Sequence, residues 1–423
     1  MCDVPDKRVQ NDACISSAER KKQVTTAQPK GNVPALRFPE FTEEWKEERL
    51  DEIAKLSKGV GISKEQLSEN GKPCILYGEL YTRYKSEIIR KVISKTNIES
   101  SNLKHSKRND VIIPCSGETA IDIAVARCIP FDNILLGGDL NVIRLHKGDG
   151  AFMAYQLNGK RKIDIAKLAQ GVSVVHLYGE NLKTIKTYNP CLQEQQKIVR
   201  LLSMLDERLE VQNKIIEKLE TLIKGIIDSI FTANKFPKVP FKEIYVRAGE
   251  GGTPTTSNPE YYDNGTIPFI KIDDLQNKYI KTNKDCITEL GLQKSSAWIV
   301  PANSIIYSNG ATIGAISINL FPVCTKQGIL GVVPKANINV EFLYYFMKST
   351  AFTTAVERIV TEGTMRTAYL KDINHIPCPV PCPVKQDEIA KLLSTLSEKL
   401  ENEVIFQLKL QKQKEFLLSQ IFI

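Results

Sequence analysis

The sequence predicts an α+β protein built from two similar domains, each followed by a long helix. Three observations carry this prediction: an internal repeat, two long segments with heptad spacing of apolar residues, and two segments that mix short β-rich runs with short helical stretches. The 423 residues include 42% hydrophobic and 25% charged residues, which is enough for two or three globular domains.

The repeat is clearest in the two long segments. Cys191–Leu205 aligns without a gap to Cys382–Leu396, at an offset of 191 residues, and the alignment continues to Phe231 and Phe422. Fourteen of these 41 positions are identical, which indicates that a whole helical segment is duplicated. The same offset pairs Tyr178 with Tyr369.

The segments upstream of the helices repeat more weakly but in the same order. Asp110–Thr119 resembles Asn303–Thr312, and both runs place a glycine after an apolar strand. We therefore divide the chain into an extension at 1–33, a first domain at 34–189, a central helix at 190–235, a second domain at 236–380 and a C-terminal helix at 381–423. The extension is polar with few large apolar residues, so we expect it to be disordered.

Both long segments are predicted to be helices that pack along an apolar seam, because their apolar residues recur at alternating three- and four-residue spacing. The predicted seam consists of Ile198, Leu202, Leu205, Leu209, Ile216, Leu219, Ile223, Ile226, Ile389, Leu393, Leu396, Leu400, Leu410 and Leu417. Gln212, Glu403, Gln407 and Lys414 interrupt it. Packing in a homodimeric coiled coil or in a plain bundle stays open. A duplicated helix in one chain favours an intramolecular antiparallel pair with a pseudo-twofold axis.

Basic residues cluster in the first domain. Between Tyr81 and Arg108 they outnumber acidic residues, and Lys160–Lys162 adds a second cluster. Such clusters suit contacts with phosphates, although a solvated lysine-rich surface fits them equally well. The formal net charge of +8 is compatible with nucleic acid binding but does not establish it.

Several motifs that would indicate an enzyme are missing. The sequence contains no Walker A motif, no Asn/Asp-Pro-Pro-Tyr/Phe tetrapeptide of an adenine methyltransferase and no nuclease-like carboxylate cluster. The four histidines lie far apart. Cys378 and Cys382 lie near His375, but a zinc site needs further ligands, so we expect an apolar turn there and no metal. We therefore predict a chain without catalytic residues.

The N-terminus has no apolar signal segment, and no apolar run approaches the roughly 18 residues of a transmembrane helix. The ten cysteines are scattered along the chain. These features predict a cytoplasmic protein with reduced thiols and no membrane partner.

The whole layout resembles the specificity subunits of bacterial Type I restriction-modification systems. The resemblance rests on Pro190–Ile198 with the heptad helix that follows, on the entry Pro34–Trp45, and on Gly251–Pro254, Ile305–Gly314 and Gly363–Leu370 in the second domain. Two departures concern Lys385–Asp387, where the family usually has Glu-Gln, and the first domain, which lacks a clear counterpart of Gly251–Pro254 near Gly59.

The resemblance implies two target-recognition domains, each of which binds one half of a split, asymmetric double-stranded DNA target. It also implies paired helices that set the gap between the halves and dock two methyltransferase subunits, with restriction subunits joining the complex. S-adenosylmethionine would be bound by the methyltransferase subunits, and ATP with Mg²⁺ by the restriction subunits. The chain itself would hold no cofactor.

The predicted DNA contacts combine basic residues for phosphates with polar residues for base edges. In the first domain they are Arg83, Lys85, Arg90, Lys91, Lys107, Arg108, Lys160, Arg161 and Lys162. In the second domain they are Lys271, Asp273, Lys278, Asn309, Thr312, Thr364 and Arg366. Two alternatives stay open at this point: a self-contained DNA methyltransferase or nuclease, and a coiled-coil scaffold with no role on DNA.

Overall fold

A computed structural model describes residues 31–99, 101–233, 236–310, 312–360 and 366–423. The predicted N-terminal extension therefore lies, up to residue 30, outside the described residues, as does Thr364. The chain forms two compact units. The first unit contains the chain up to Glu207 together with Gln411–Ile423, and the second contains Arg208–Leu410.

The first unit is a mixed α+β domain. Its strands are β1 (Lys46–Arg49), β2 (Ala54–Lys58), β3 (Leu67–Ser68), β4 (Lys72–Ile75), β5 (Ser94–Thr96), β6 (Lys104–His105), β7 (Asp110–Pro114), β8 (Ser116–Gly117), β9 (Arg127–Ile129), β10 (Leu135–Leu136), β11 (Leu140–Leu145), β12 (Val175–His176) and β13 (Lys186–Asn189). Its short helices are α1 (Leu50–Ile53), α2 (Glu79–Thr82), α3 (Ala120–Ile123), α4 (Gly150–Asn158), α5 (Lys162–Lys167) and α6 (Gly179–Leu182), and Lys64–Gln66 forms a 3₁₀ turn.

The main sheet of this unit has the antiparallel order β2-β11-β7-β9, and a second sheet has the order β3-β5-β4-β10-β6. Strand β7 is buried throughout, because both of its faces are covered. Val111 and Ile113 pack in the cluster that contains α4, whereas Ile112 packs in the cluster of Ile75 and Leu136. This alternation follows from the two-residue period of a strand.

The long helix α7 (Leu192–Ala233) begins in the first unit and continues into the second. Its 42 residues correspond to about 63 Å at 1.5 Å per residue. Pro190 lies two residues before its first turn, where the chain is still extended.

The second unit repeats the same arrangement. Its strands are β14 (Lys238–Pro240), β15 (Tyr245–Glu250), β16 (Ile267–Ile270), β17 (Tyr279–Ile280), β18 (Asp285–Ile287), β19 (Ser304–Ser308), β20 (Ile316–Asn319), β21 (Cys324–Thr325), β22 (Ile329–Pro334) and β23 (Pro377–Pro379). Its helices are α8 (Glu289–Gln293), α9 (Val340–Lys348), α10 (Thr350–Ile359), α11 (Leu370–Ile373) and α12 (Pro383–Ile421), with 3₁₀ turns at Phe241–Glu243, Pro259–Tyr261 and Ile272–Asp274.

The main sheet of the second unit has the order β15-β22-β19-β20-β17. Its first four strands match β2-β11-β7-β9 of the first unit in order and direction. Helices α4 and α9 also correspond: each has nine residues and begins at an Asx cap, Asp149 or Asn339, whose side chain accepts two backbone N–H bonds. The repeat predicted from the helices therefore extends through both domains.

The two long helices pair in antiparallel fashion within each unit. In the first unit, Ile198 and Leu202 of α7 pack with Ile421 near the end of α12. In the second unit, Ile223 and Ile227 of α7 pack with residues near the start of α12. All fourteen predicted seam residues are buried or half-buried. The predicted fold class, two α+β domains with two long antiparallel helices, is confirmed.

Candidate nucleic-acid interface

Four segments of the first unit converge beyond the C-terminal end of β7. They follow β2, follow β7, precede β11 and precede α6. The Gly59 N–H donates to the Leu140 carbonyl at 2.9 Å, and the Leu177 N–H donates to the Cys115 carbonyl at 2.7 Å. These bonds connect neighbouring loops, so the loop end of the sheet has a defined backbone shape.

The second unit has the same convergence beyond the C-terminal end of β19. The Gly251 N–H donates to the Ile329 carbonyl at 2.9 Å, as Gly59 donates to the residue that begins β11. A Cβ atom at Gly251 would lie 1.9 Å from the Thr325 carbonyl oxygen, and one at Gly59 would lie 1.9 Å from the Gly137 carbonyl oxygen. Gly59 is therefore the structural counterpart of Gly251. This correspondence was not evident from the sequence, because the two segments share only the glycine that permits the close backbone approach.

Two buried asparagines hold the loops in place. Asn141 donates from Nδ2 to the Leu177 carbonyl at 3.0 Å, and Asn309 donates to the Ala368 carbonyl at 3.1 Å. Leu177 and Ala368 occupy the same position of the repeat, although Asn141 lies in β11 and Asn309 directly follows β19. Asn309 is 1% exposed, so the prediction that it contacts DNA is corrected: its side chain positions the loop that carries Arg366.

Exposed tyrosines lie beside both anchored loops. Tyr178 and Tyr369 are each 46% exposed, and they occupy the same position of the repeat. The Lys58 ammonium lies 6.0 Å from the Tyr178 ring centroid, and the Lys371 ammonium lies 5.4 Å from that of Tyr369. Our sequence analysis did not select these tyrosines and lysines as contacts, although the 191-residue offset was a signal that could have found the tyrosines.

In the first unit, a histidine lies beside the exposed pair of Lys58 and Tyr178. The His176 ring stacks on Tyr178 with centroids 6.2 Å apart. Strand β12, which contains His176, pairs with β8 immediately after β7. Cys115 lies between these loops, and burial raises the pKa of its thiol to about 11, so it is neutral at neutral pH.

Four of the basic residues predicted in the first domain are exposed and have no side-chain partner among the described residues: Lys85, Lys91, Lys107 and Lys160. Arg83 lies 3.4 Å from Glu79, and Arg108 lies 4.0 Å from Asp132. Lys162 is half-buried in the first turn of α5.

Two predicted arginines have partners within the first unit: Arg90 contacts α7, and Arg161 contacts α5 and the residue Ile423 beyond α12. Arg90 contacts Glu207 at 2.5 Å and donates to the Ser203 carbonyl of α7. Arg161 donates to the Ile423 carbonyl at 2.7 Å and contacts Asp164. These interactions give both guanidinium groups partners within the first unit, and the prediction that they contact DNA stays untested.

Two of the basic candidates of the first domain lie away from the converging loops. Lys107 and Arg108 precede β7, whereas the loops follow it. A strand of five residues spans about 17 Å, so these two residues lie at the opposite end of the sheet. The sequence shows that Lys107 and Arg108 lie next to a strand, but it does not show at which end of that strand the loops converge.

The predicted contacts of the second domain differ in exposure and in position. Thr312 and Arg366 are exposed, and their loops meet because the Ala368 N–H donates to the Asn309 carbonyl at 2.9 Å. Asp273 is exposed, and Lys271 contacts Asp285 at 2.9 Å.

Lys278 is buried, which corrects its prediction as a DNA contact. Its ammonium donates to Ser394 at 2.8 Å and lies 3.2 Å from Glu341. Burial by itself would lower the pKa of Lys278, but the neighbouring Tyr279, Tyr345 and Glu341 raise it above its usual value. Lys278 is therefore a charged internal anchor.

Among the described residues, no three His, Cys, Asp or Glu side chains lie close enough together to hold a metal ion. In the same part of the chain, no helix is long and apolar enough to cross a membrane. Cys378 is buried in β23, and Cys382 is exposed just before α12.

Comparisons with known proteins agree with this architecture. The family model described as the Type I restriction modification DNA specificity domain matches residues 42–221 and again residues 238–410. The MjaIX specificity subunit of Methanocaldococcus jannaschii is 32% identical over 179 residues, which cover 42% of this chain and 39% of that protein. The HindI specificity subunit of Haemophilus influenzae is 30% identical over 166 residues, or 38% of this chain and 36% of that protein.

The chain thus spans well under half the length of these two relatives, but a third comparison is nearly end to end. The MjaVIII specificity subunit of M. jannaschii is 22% identical over 421 residues, which cover 91% of this chain and 92% of that protein. In structure, the S subunit of a Type I system from M. genitalium superposes with a TM-score of 0.59 at 19% identity and covers 92% of this chain and 99% of that one. It shares the fold. Since the family model matches most of the chain in two copies, this protein belongs to the Type I restriction modification DNA specificity domain family.

Proposed function

We propose that this chain is the DNA-sequence-recognising subunit of a Type I restriction-modification complex, and that each unit binds one half of a split target. The supporting observation is that both units hold their loops with equivalent backbone bonds, yet expose different side chains there. His176 and Tyr178 lie at the first loop end, whereas Thr312, Arg366 and Tyr369 lie at the second. Different side chains on matching frames favour two half-sites of different sequence.

The proposed DNA contacts follow from exposure and position. In the first unit they are Lys58, His176 and Tyr178 at the converging loops, with Lys85, Lys91, Lys107 and Lys160 as more distant phosphate contacts. In the second unit they are Thr312, Arg366, Tyr369 and Lys371, together with Thr364 from the predicted set. Arginine suits guanine edges, and lysine suits phosphates.

In this proposal the long helices set the gap between the half-sites. Two modest binding events become tight when a stiff spacer matches their separation. The helices would also dock two methyltransferase subunits, which bind S-adenosylmethionine, and restriction subunits that use ATP with Mg²⁺ would complete the complex. The chain would contribute recognition and no catalytic residue, which the names of its relatives as specificity subunits support.

The test is to sequence native DNA from cells that express this chain with its methyltransferase partner. We expect N6-methyladenine at one split, asymmetric motif that is absent when the chain is absent. Co-purification of the two subunits is the control for assembly. An assembled complex that adds no motif would contradict the proposal, and methylation or cleavage by the purified chain alone would show that it is an enzyme.

A further inference from the structure

A buried charge cluster connects the first domain with both long helices inside the first unit. The Lys414 ammonium of α12 lies 2.5 Å from the Glu87 carboxylate and 2.6 Å from the Asp206 carboxylate of α7. Tyr155 of α4 donates to Asp206 at 2.6 Å. The side chains of Glu87 and Asp206 are 7% and 3% exposed, so the cluster lies out of solvent.

The charges in this cluster balance. Arg127 is buried, donates to the Tyr84 carbonyl at 2.8 Å and interacts electrostatically with Glu87 and Asp206. Two carboxylates, Glu87 and Asp206, are therefore matched by two cations, Lys414 and Arg127. Burial by itself would lower the pKa of Lys414. The neighbouring carboxylates of Glu87 and Asp206 raise the pKa by more than burial lowers it, so the pKa lies above its usual value and the ammonium stays charged.

The equivalent place in the second unit has different chemistry. The Cys128 N–H donates to the Glu87 carbonyl at 2.7 Å, and the Ile318 N–H donates to the Lys278 carbonyl at 2.7 Å, so Glu87 and Lys278 occupy the same structural position. Glu87 and Lys278 are 191 positions apart, and Cys128 and Ile318 are 190 positions apart, as the repeat predicts. An acid in the first unit is thus replaced by a base in the second.

The helix residues are exchanged as well. At the 191-residue offset, Asp206 corresponds to Ser397 and Lys414 corresponds to Ile223. Tyr345 contacts Ser397 at 3.0 Å, as Tyr155 contacts Asp206. In the second unit both charges, Lys278 and Glu341, come from the domain, and the long helices contribute neutral residues.

From these exchanges we infer that Glu87, Asp206 and Lys414 form a pairing-specificity site: the first domain accepts the Lys414-bearing end of α12 and rejects the repeat-equivalent end of α7, which carries Ile223. An isoleucine in place of Lys414 leaves the two buried carboxylates, Glu87 and Asp206, with one buried cation, Arg127, beside them. A lysine in place of Ile223 brings a second buried cation towards Lys278. Both wrong pairings therefore bury an uncompensated charge, which is strongly unfavourable.

The consequence is that the duplicated helices pair only with the opposite copy. Their apolar seams are similar enough to allow pairing of two first copies or of two second copies between chains. The charge cluster removes this ambiguity, as a buried polar residue fixes the partner in a coiled coil. The inference concerns the folding of the chain and does not depend on DNA binding.

The test is hydrogen exchange on the full-length chain, followed in peptides that cover residues 411–423. Lys414→Ile should speed exchange there at least tenfold. The compensating variant Asp206→Ser/Lys414→Ile, which removes one carboxylate together with the lysine and leaves Glu87 opposite Arg127, should recover most of the protection. Lys412→Ile, at an exposed position two residues away, is the matched control and should change little.

A reciprocal exchange tests the discrimination itself. Lys414→Ile/Ile223→Lys keeps the composition of the chain, yet it should expose the 411–423 segment and also destabilise the second unit. Normal protection in this variant would overturn the inference. Failure of Asp206→Ser/Lys414→Ile to recover protection would also overturn it, because Lys414 would then act by packing and not by charge. If Lys414→Ile does not fold but Asp206→Ser/Lys414→Ile does, the charge argument is supported.

Discussion

The starts of the two long helices are built alike around one glutamine and differently around the residue before it. Gln195 and Gln386 make the same pair of contacts: each donates to a proline carbonyl at 2.9 Å and accepts a backbone N–H at 2.9 Å, from Asp149 or from Asn339. The repeat is therefore retained where a side chain satisfies buried backbone groups.

The preceding residue shows the opposite behaviour. Glu194 is 1% exposed, accepts two bonds from Arg37 and contacts Trp45. Its repeat equivalent, Lys385, is exposed and pairs with Glu388, three residues later in α12. The difference shows that the two copies share a backbone frame, and that each has acquired its own side-chain interactions with its domain.

The largest expected effect distinguishes these two positions. Glu194→Ala should lower the free energy of unfolding of the first unit by about 3 kcal/mol, because it leaves Arg37 and Trp45 without their partner in a buried setting. Lys385→Ala removes an exposed pair and should cost at most about 0.5 kcal/mol. Urea unfolding of both variants measures the difference. Equal losses at the two positions would contradict the comparison.

A smaller effect concerns the pH dependence of stability, which should differ between the Lys414 cluster of the first unit and the Lys278 cluster of the second unit. Hydrogen bonds from Ser394 and Tyr279 and the charge of Lys278 outweigh burial, so the pKa of Glu341 lies below its usual value of 4.5. A lowered folded-state pKa gives stability that is present above pH 4.5 and is lost as the pH falls through the folded value. The first unit has Ala151 at this position.

The stability difference between the wild type and Glu341→Gln should therefore shrink as the pH falls below about 4.5. Thermal unfolding between pH 3 and pH 7 provides the measurement, and Glu357→Gln is a control at an exposed glutamate. A difference that does not change over this range would show that Glu341 does not act through its charge.

The smallest effect concerns thiol reactivity. Cys191 and Cys382 occupy the same position of the repeat and are both exposed, whereas Cys74 and Cys324 are buried, with burial raising the pKa of each to about 11. A neutral alkylating reagent at pH 8 should label Cys191 and Cys382 in the folded chain at similar rates. It should label Cys74 and Cys324 much more slowly. Mass spectrometry of the labelled chain gives the rates.

Much of the fold was predictable from the sequence, because periodicity and repetition are properties of the chain itself. The apolar spacing of Ile198, Leu202 and Ile389 predicted a helix pair, and the 191-residue offset predicted two copies. The antiparallel direction followed from the expectation of a duplicated, intramolecular pair. Each of these signals is local or repeated, so none requires knowledge of a distant partner.

The site was less predictable, because burial depends on contacts that are distant in sequence. Lys278 looked like a surface lysine, but Glu341 and Ser394 enclose it from 63 and 116 residues away. Asn309 looked like a base-reading side chain, but it positions the loop before Tyr369. The loop end of each sheet became evident only when the strands were placed side by side.

The most direct test of the account replaces Arg366 with alanine and determines the methylated motif in cells that also contain the methyltransferase partner. If each unit binds its own half-site through its converging loops, Arg366→Ala relaxes one half of the motif and leaves the other half unchanged, with a loss of about 1–3 kcal/mol in discrimination at one base pair. Lys335→Ala, an exposed lysine beyond the opposite end of β22, is the matched control and should leave the motif intact. A loss spread evenly over both halves would contradict the account.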